Sequence, residues 1–148
     1  MSNPHSHSHL SIQERLKSAR LKCEAEGRRF TPLRAHVFEL IIENDGVIKA
    51  YDLLSRIRPE LGSPKPPTVY RALDFLTQLG LVHRVEALNA FIACDHNHAG
   101  HLAEFFICEL CHNVEERHAH DHTDCKPEGF MIKRSVVEHY GDCGRCTA

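Results

Sequence analysis

Two C-x-x-C pairs, Cys108-Glu109-Leu110-Cys111 and Cys143-Gly144-Arg145-Cys146, constrain this chain more than any other feature. Each pair can grip one cation from a tight turn, and four thiolates complete the closed tetrahedral site that structural zinc takes. The pairs stand 31 residues apart. A fold that uses them as one site must bring two distant turns together and pin the C-terminal tail to its core. Two unrelated pairs or a redox dithiol are the competing readings. The first pair also closes a dense stretch: residues 94–116 hold three of the seven cysteines and four of the 13 histidines. Thiolate and imidazole are the ligands zinc prefers.

The compartment decides how such cysteines are used. No apolar run approaches the ~18 residues of a membrane span. The first ten residues, MSNPHSHSHL, lack a basic start and an apolar stretch, so they do not read as a secretory signal. A cytoplasmic protein is expected, where thiols stay reduced and C-x-x-C pairs serve as metal ligands or redox groups. The net charge of −2 conceals an asymmetry. Residues 1–86 carry 13 Lys/Arg against 10 Asp/Glu, and residues 87–148 carry 5 against 10. The first half could face phosphates, while bound cations would offset the acid of the second.

Residues 1–10, with their HSHSH tract, are expected to form a disordered tail. Apolar residues at Ile12, Leu16, Ala19 and Cys23 have helical spacing, and Ser11 with Glu14 fits a capping box. That helix ends near Gly27, with Cys23 on its buried stripe. Thr31-Pro32 starts a second helix carrying Leu33, Val37, Leu40 and Ile41, stopped at Asn44-Asp45-Gly46. A third runs from about Ala50 to Ile57. After a Pro- and Gly-rich loop, residues 68–79 read as a helix with Val69, Leu73, Leu76 and Leu79 buried and Gly80 as its stop. Residues 81–86 and 90–94 are β-prone and make a hairpin. Helices followed by such a wing are the pattern of a winged helix-turn-helix, whose helix at 67–79 would enter the major groove.

The rest reads as a small α+β unit. Strands at 104–108 and 113–117 flank the first cysteine pair, a short helix falls within 118–129, and 130–143 is a long β-prone run. One small sheet of this kind leaves an edge and an apolar face uncovered, which invites dimerisation. The domain reading is therefore a winged helix over 11–86, a hinge with the second wing strand at 87–94, and a dimerisation and metal-binding domain over 95–148.

A second ligand group comprises His83, Cys94, His96, His98, His101 and Glu116. One Cys, two His and one carboxylate would make a weaker, more exchangeable and pH-sensitive zinc site. Glu115 is the fallback for Glu116. A third set, His118, His120, Asp121 and His122, could join His96 or His98 in a further site. His36, His112 and His139 are taken as structural.

At KPPTVYRALDFLTQLGLVHRVE, Cys94, FFICELCHNVEE and the closing CGRC, the chain resembles the ferric uptake regulator family, most closely its zinc-responsive branch. The likeness runs over about residues 11–147. It implies a homodimeric repressor that binds palindromic double-stranded operator DNA when loaded with zinc and controls zinc uptake genes. It also implies at least two Zn²⁺ per subunit, no small-molecule substrate and no enzymatic activity. By the same resemblance the structural site falls on Cys108, Cys111, Cys143 and Cys146, and the sensor site on His83, Cys94, His101 and Glu116. DNA contacts fall on Tyr51, Thr68, Tyr70 and Arg71. An iron- or peroxide-responsive regulator is the alternative within the family, and Cys94 speaks against it. A hydrolytic zinc enzyme would need an open coordination position and a base, and no HExxH motif occurs.

Overall fold

The computed structural model describes residues 10–44, 46–94, 103–118, 126–132 and 135–148. The chain divides into two compact units, Met1–Asp95 and His96–Ala148. Among the described residues no helix is long and apolar enough to cross a membrane.

The first unit contains four helices: α1 (Ile12–Ala25), α2 (Pro32–Glu43), α3 (Ala50–Arg56) and α4 (Pro66–Gln78). Their ends follow from local chemistry. The Ser11 hydroxyl accepts from the Glu14 amide at 3.2 Å, and the Ser11 amide donates to the Glu14 carboxylate at 2.7 Å. The bond from the Ser11 amide, and after it the Ser11 side chain, favour the ionised carboxyl and hold Glu14 below its ordinary pKa. Thr31 caps α2 through the Arg34 amide at 3.3 Å. Helices α1 and α4 both end in a Schellman turn around a glycine at positive φ. At Gly27 (φ 65°) the Arg28 amide donates to the Cys23 carbonyl at 2.8 Å; at Gly80 (φ 73°) the Leu81 amide donates to the Leu76 carbonyl at 3.0 Å.

Helix α4 begins at Pro66, two residues before the start expected from the sequence. A proline at the first helical position loses no hydrogen bond there, because that amide is unpaired in any helix. Its buried side carries Val69, Ala72, Leu73, Phe75 and Leu76. Val69, Leu73 and Leu76 are fully buried, each contributing about 1.5–3 kcal/mol against α2, α3 and the sheet. The sheet is three-stranded, where the sequence indicated two. Strand β1 (Ile48–Lys49) joins β2 (Val82–Val85) and β3 (Ala90–Ala93) in the order β1-β3-β2, all antiparallel. Two residues are too few to carry an alternation, so β1 has no sequence signature. The wing turn is a 3-10 turn, Glu86–Leu88, closed by Asn89 in the left-handed region.

The second unit is a three-stranded sheet of order β5-β4-β6, made of β4 (Ala103–Cys108), β5 (Val114–His118) and β6 (Val136–Gly141), followed by the short helix α5 (Gly144–Thr147). Strands β4 and β5 are antiparallel, and β4 and β6 are parallel. Among the described residues the long β-prone run contributes strand at Val136–Gly141, and residues 128–129 form a turn. The short helix expected within 118–129 falls largely outside the described residues; α5 was not expected.

Candidate metal centre and recognition helix

Each C-x-x-C pair follows directly on a strand: Cys108 ends β4, and Cys143 lies two residues beyond β6. The two strands run parallel with Cys108 opposite Gly141, so both turns emerge at the same end of the sheet. The Glu109 amide extends the pairing to the Gly141 carbonyl at 2.8 Å. The first turn closes with the Cys108 amide on the Asn113 carbonyl and the His112 amide on the Cys108 carbonyl, both at 2.9 Å. His112 takes a left-handed φ of 60° in it, which is a structural role.

The four sulfurs lie within 4.8 Å of one another, with Cys111 Sγ 3.7 Å from Cys143 Sγ and Cys108 Sγ 3.9 Å from Cys146 Sγ. A tetrahedron with Zn–S bonds of about 2.3 Å has edges of about 3.8 Å. The thiol chemistry agrees. Cys108 is brought down to about 6, chiefly by the Cys111 amide and then by the Cys143 amide, which reaches its sulfur at 3.3 Å. Cys143 is lowered by the Cys146 amide. Cys146 is pushed up to about 12 by the thiols of Cys143, Cys111 and Cys108. Backbone donors alone stabilise some of the charge; a dication is what makes four adjacent thiolates compatible.

In the first unit, His83 on β2 and Cys94 just past β3 are both buried, and their ligand atoms lie within 4.8 Å. The Cys94 amide donates to the Leu81 carbonyl at 2.9 Å, continuing the hairpin ladder. In the second unit Glu116 is half-buried and stands opposite the fully buried Phe105. Glu115 points to the other face, opposite the exposed Phe106, and pairs with Arg117 at 3.1 Å. Strand alternation thus separates the two carboxylates and leaves Glu115 engaged elsewhere. His96, His98, His101, His120, Asp121 and His122 lie outside the described residues, as does the side chain of His118.

Two remaining histidines are engaged with neighbours in their own units. His36 is buried; its Nε2 accepts from the Arg58 amide at 3.2 Å, so Nδ1 carries the proton and faces Glu39 at 3.3 Å. His139 stacks on Phe106 with centroids 4.7 Å apart and meets Glu104 at 2.5 Å.

The residues assigned to DNA are all exposed. Tyr51, 80% exposed, opens α3, and Thr68, Tyr70 and Arg71 lie on α4 away from its buried stripe. Two arginines escaped sequence reading. Arg34 and Arg28 place their guanidinium carbons 3.7 Å and 4.4 Å from the ring centroid of Phe75, tying the start of α2 to α4. Nothing in their spacing along the chain announces this.

A winged-helix unit followed by a sheet bearing a four-cysteine cluster that could hold a metal ion defines the class: a mixed helix-and-sheet protein. The chain belongs to the ferric uptake regulator family, which it matches over residues 25–139. It is 40% identical over 142 residues to the zinc uptake regulation protein of Escherichia coli (strain K12), covering 92% of this chain and 83% of that protein. A zinc uptake regulator solved with zinc and DNA is 39% identical, with a TM-score of 0.79 over 93% of this chain and 96% of the other. The holo form of the regulator XcZur is also 39% identical, with a TM-score of 0.73 over 89% and 96%.

Proposed function

We propose that this protein is a zinc-responsive transcriptional repressor that binds palindromic operator DNA as a homodimer and controls zinc uptake genes. The observation that carries the reading is the buried His83–Cys94 pair at the end of the wing. It puts an imidazole and a thiolate, a zinc-favouring combination, on the hairpin that continues from α4. The similarity to a regulator complexed with zinc and DNA supports it. The thiolate also disfavours an iron- or peroxide-responsive reading.

In this reading His101 and Glu116 complete the ligand set begun by His83 and Cys94, while Cys108, Cys111, Cys143 and Cys146 hold a permanent zinc. When bound at the first set, zinc supplies a cross-link between its ligands. The chain's own residues do the rest. The β2-β3 ladder transmits restraint at Cys94 to β2, and the Gly80 turn connects β2 to α4. Arg71 reads a base edge, while Thr68, Tyr70 and Tyr51 meet phosphate or sugar. A second copy of the chain is the partner. The edge strand β6 and the exposed Val136 and Tyr140, which share the Phe105 face of the sheet, supply an apolar surface for it.

The test is a gel shift on a palindromic probe across a zinc titration, with light scattering to give the mass. The wild type shifts the probe only with zinc and has the mass of a dimer. Cys94→Ser stays folded and dimeric, keeps one zinc per chain and loses the zinc-dependent shift. A Cys94→Ser protein that shifts at wild-type zinc levels refutes the sensor assignment.

A further inference from the structure

The guanidinium of Arg15, in the second turn of α1, donates from Nη2 to the backbone carbonyl of Cys94 at 2.7 Å. Its guanidinium carbon lies 5.8 Å from the ring centroid of Phe38, which is buried in α2. The partner is 79 positions away in sequence and lies one residue past the end of β3. There the ladder still holds the Cys94 amide, which goes to the Leu81 carbonyl, while the Leu81 amide goes to the Leu76 carbonyl. Arg15 donates to the Cys94 carbonyl from another element. A charge-assisted bond of this length is among the stronger side-chain to backbone contacts. Cys94 is thereby fixed on both sides of its α-carbon, which restricts where its thiol can point relative to His83. The contact with Phe38 limits the freedom of the Arg15 side chain in turn.

We infer that Arg15 is a positioning residue for the sensor zinc: it clamps the Cys94 carbonyl to α1 and so sets the thiolate toward His83 before metal arrives. The inference rests on the assignment of His83 and Cys94 to the sensor site. Groups that hold a metal ligand in orientation typically carry a 10–100-fold effect on metal affinity when removed. Here the orientation acts through the backbone. The guanidinium engages the carbonyl, so it orders the ligand through the main chain. Arg15 also makes α1 sensitive to the state of Cys94, because a shift of that carbonyl must move the guanidinium or break the bond.

The experiment compares wild type, Arg15→Ala, Arg15→Lys and Cys94→Ser as full-length proteins. Sensor-site zinc affinity is measured by competition with a chromophoric chelator, and cobalt substitution reports the sulfur-to-metal charge-transfer band. For Arg15→Ala the expected result is about a tenfold or greater loss of affinity for the more weakly held zinc, a weaker or shifted cobalt–thiolate band and an unchanged tightly held zinc. Arg15→Lys, which can still donate to the carbonyl, recovers part of the affinity. A thermal melt of each metal-depleted protein separates loss of folding from loss of positioning. If Arg15→Ala lowers the melting temperature but leaves the sensor affinity and the cobalt band at wild-type values, Arg15 is a structural residue and the inference is overturned. If Cys94→Ser itself retains the weaker zinc, the sensor assignment fails instead.

Discussion

Replacing Cys143 by serine takes one sulfur from the four-cysteine cluster and leaves the local backbone able to form. Cys143 caps α5, and the bond it gives Cys108 comes from its amide, which serine also has. What is lost is the cross-link. Cys111 and Cys143 are 32 positions apart, and the metal-bridged pair closes that loop. Releasing a loop of this length returns roughly 4 kcal/mol of chain entropy to the unfolded state, by analogy with a disulfide. A unit of the size of the second one, about 50 residues, has only about 3–8 kcal/mol of stability in total. Cys143→Ser should therefore remove about half or more of the stability of the β5-β4-β6 sheet and bring it toward its folding midpoint, while the helical unit, with its own core, survives. Hydrogen exchange read by mass spectrometry, with zinc content by atomic absorption, checks this. Amides of β4, β5 and β6 should lose protection, those of α1, α2 and α4 should keep it, and zinc should fall by one per chain. Zinc falling by one while β6 keeps wild-type protection would show that the sheet stands without the cross-link, and the reasoning would be wrong.

Arg71→Ala should weaken operator binding by about 1–3 kcal/mol and relax preference at one base position, read by binding to a set of probes with single substitutions. Leu73→Ala empties a fully buried site in α4 and should cost about 2–5 kcal/mol in urea unfolding of the first unit. The depressed Cys108 thiol sets a pH limit on the four-cysteine site. Protons compete with zinc for the sulfurs, and the backbone donors that bring Cys108 down to about 6 keep that thiol ready for metal at neutral pH. Zinc release to a chelator should therefore rise as pH falls through about 6; release that stays the same between about pH 8 and about pH 5 would contradict the assignment.

Much of the fold was legible because it is written in local rules. Ser11 with Glu14, Thr31 with Pro32, and Gly27 and Gly80 at positive φ set helix ends through contacts within a few residues. The α4 stripe showed in the period of Val69, Leu73 and Leu76. Strand β1 did not show, because two residues carry no pattern. The 130–143 run was read too long, because β-propensity says nothing of where a partner strand stops. In the candidate sites the ligand types were visible, and Glu116 was named with Glu115 as the fallback, but the face each carboxylate takes was not. Adjacent residues of a strand face opposite ways, and only pairing with Phe105 and Phe106 tells which face is which.

Sequence by itself determined the chemistry: two C-x-x-C pairs, an imidazole and a thiolate on neighbouring wing strands, and a helix with one buried and one polar side. Each depends on residue type and short spacing. Tertiary structure decided what those groups meet. The parallel pairing of β4 with β6 carries the second cysteine pair across 31 residues to the first and sets their sulfurs 3.7–3.9 Å apart. The contact of Arg15 with the Cys94 carbonyl spans 79 positions. Neither has a local cause. Both follow from how whole elements pack, a choice made by the summed burial of the core rather than by any residue near the site.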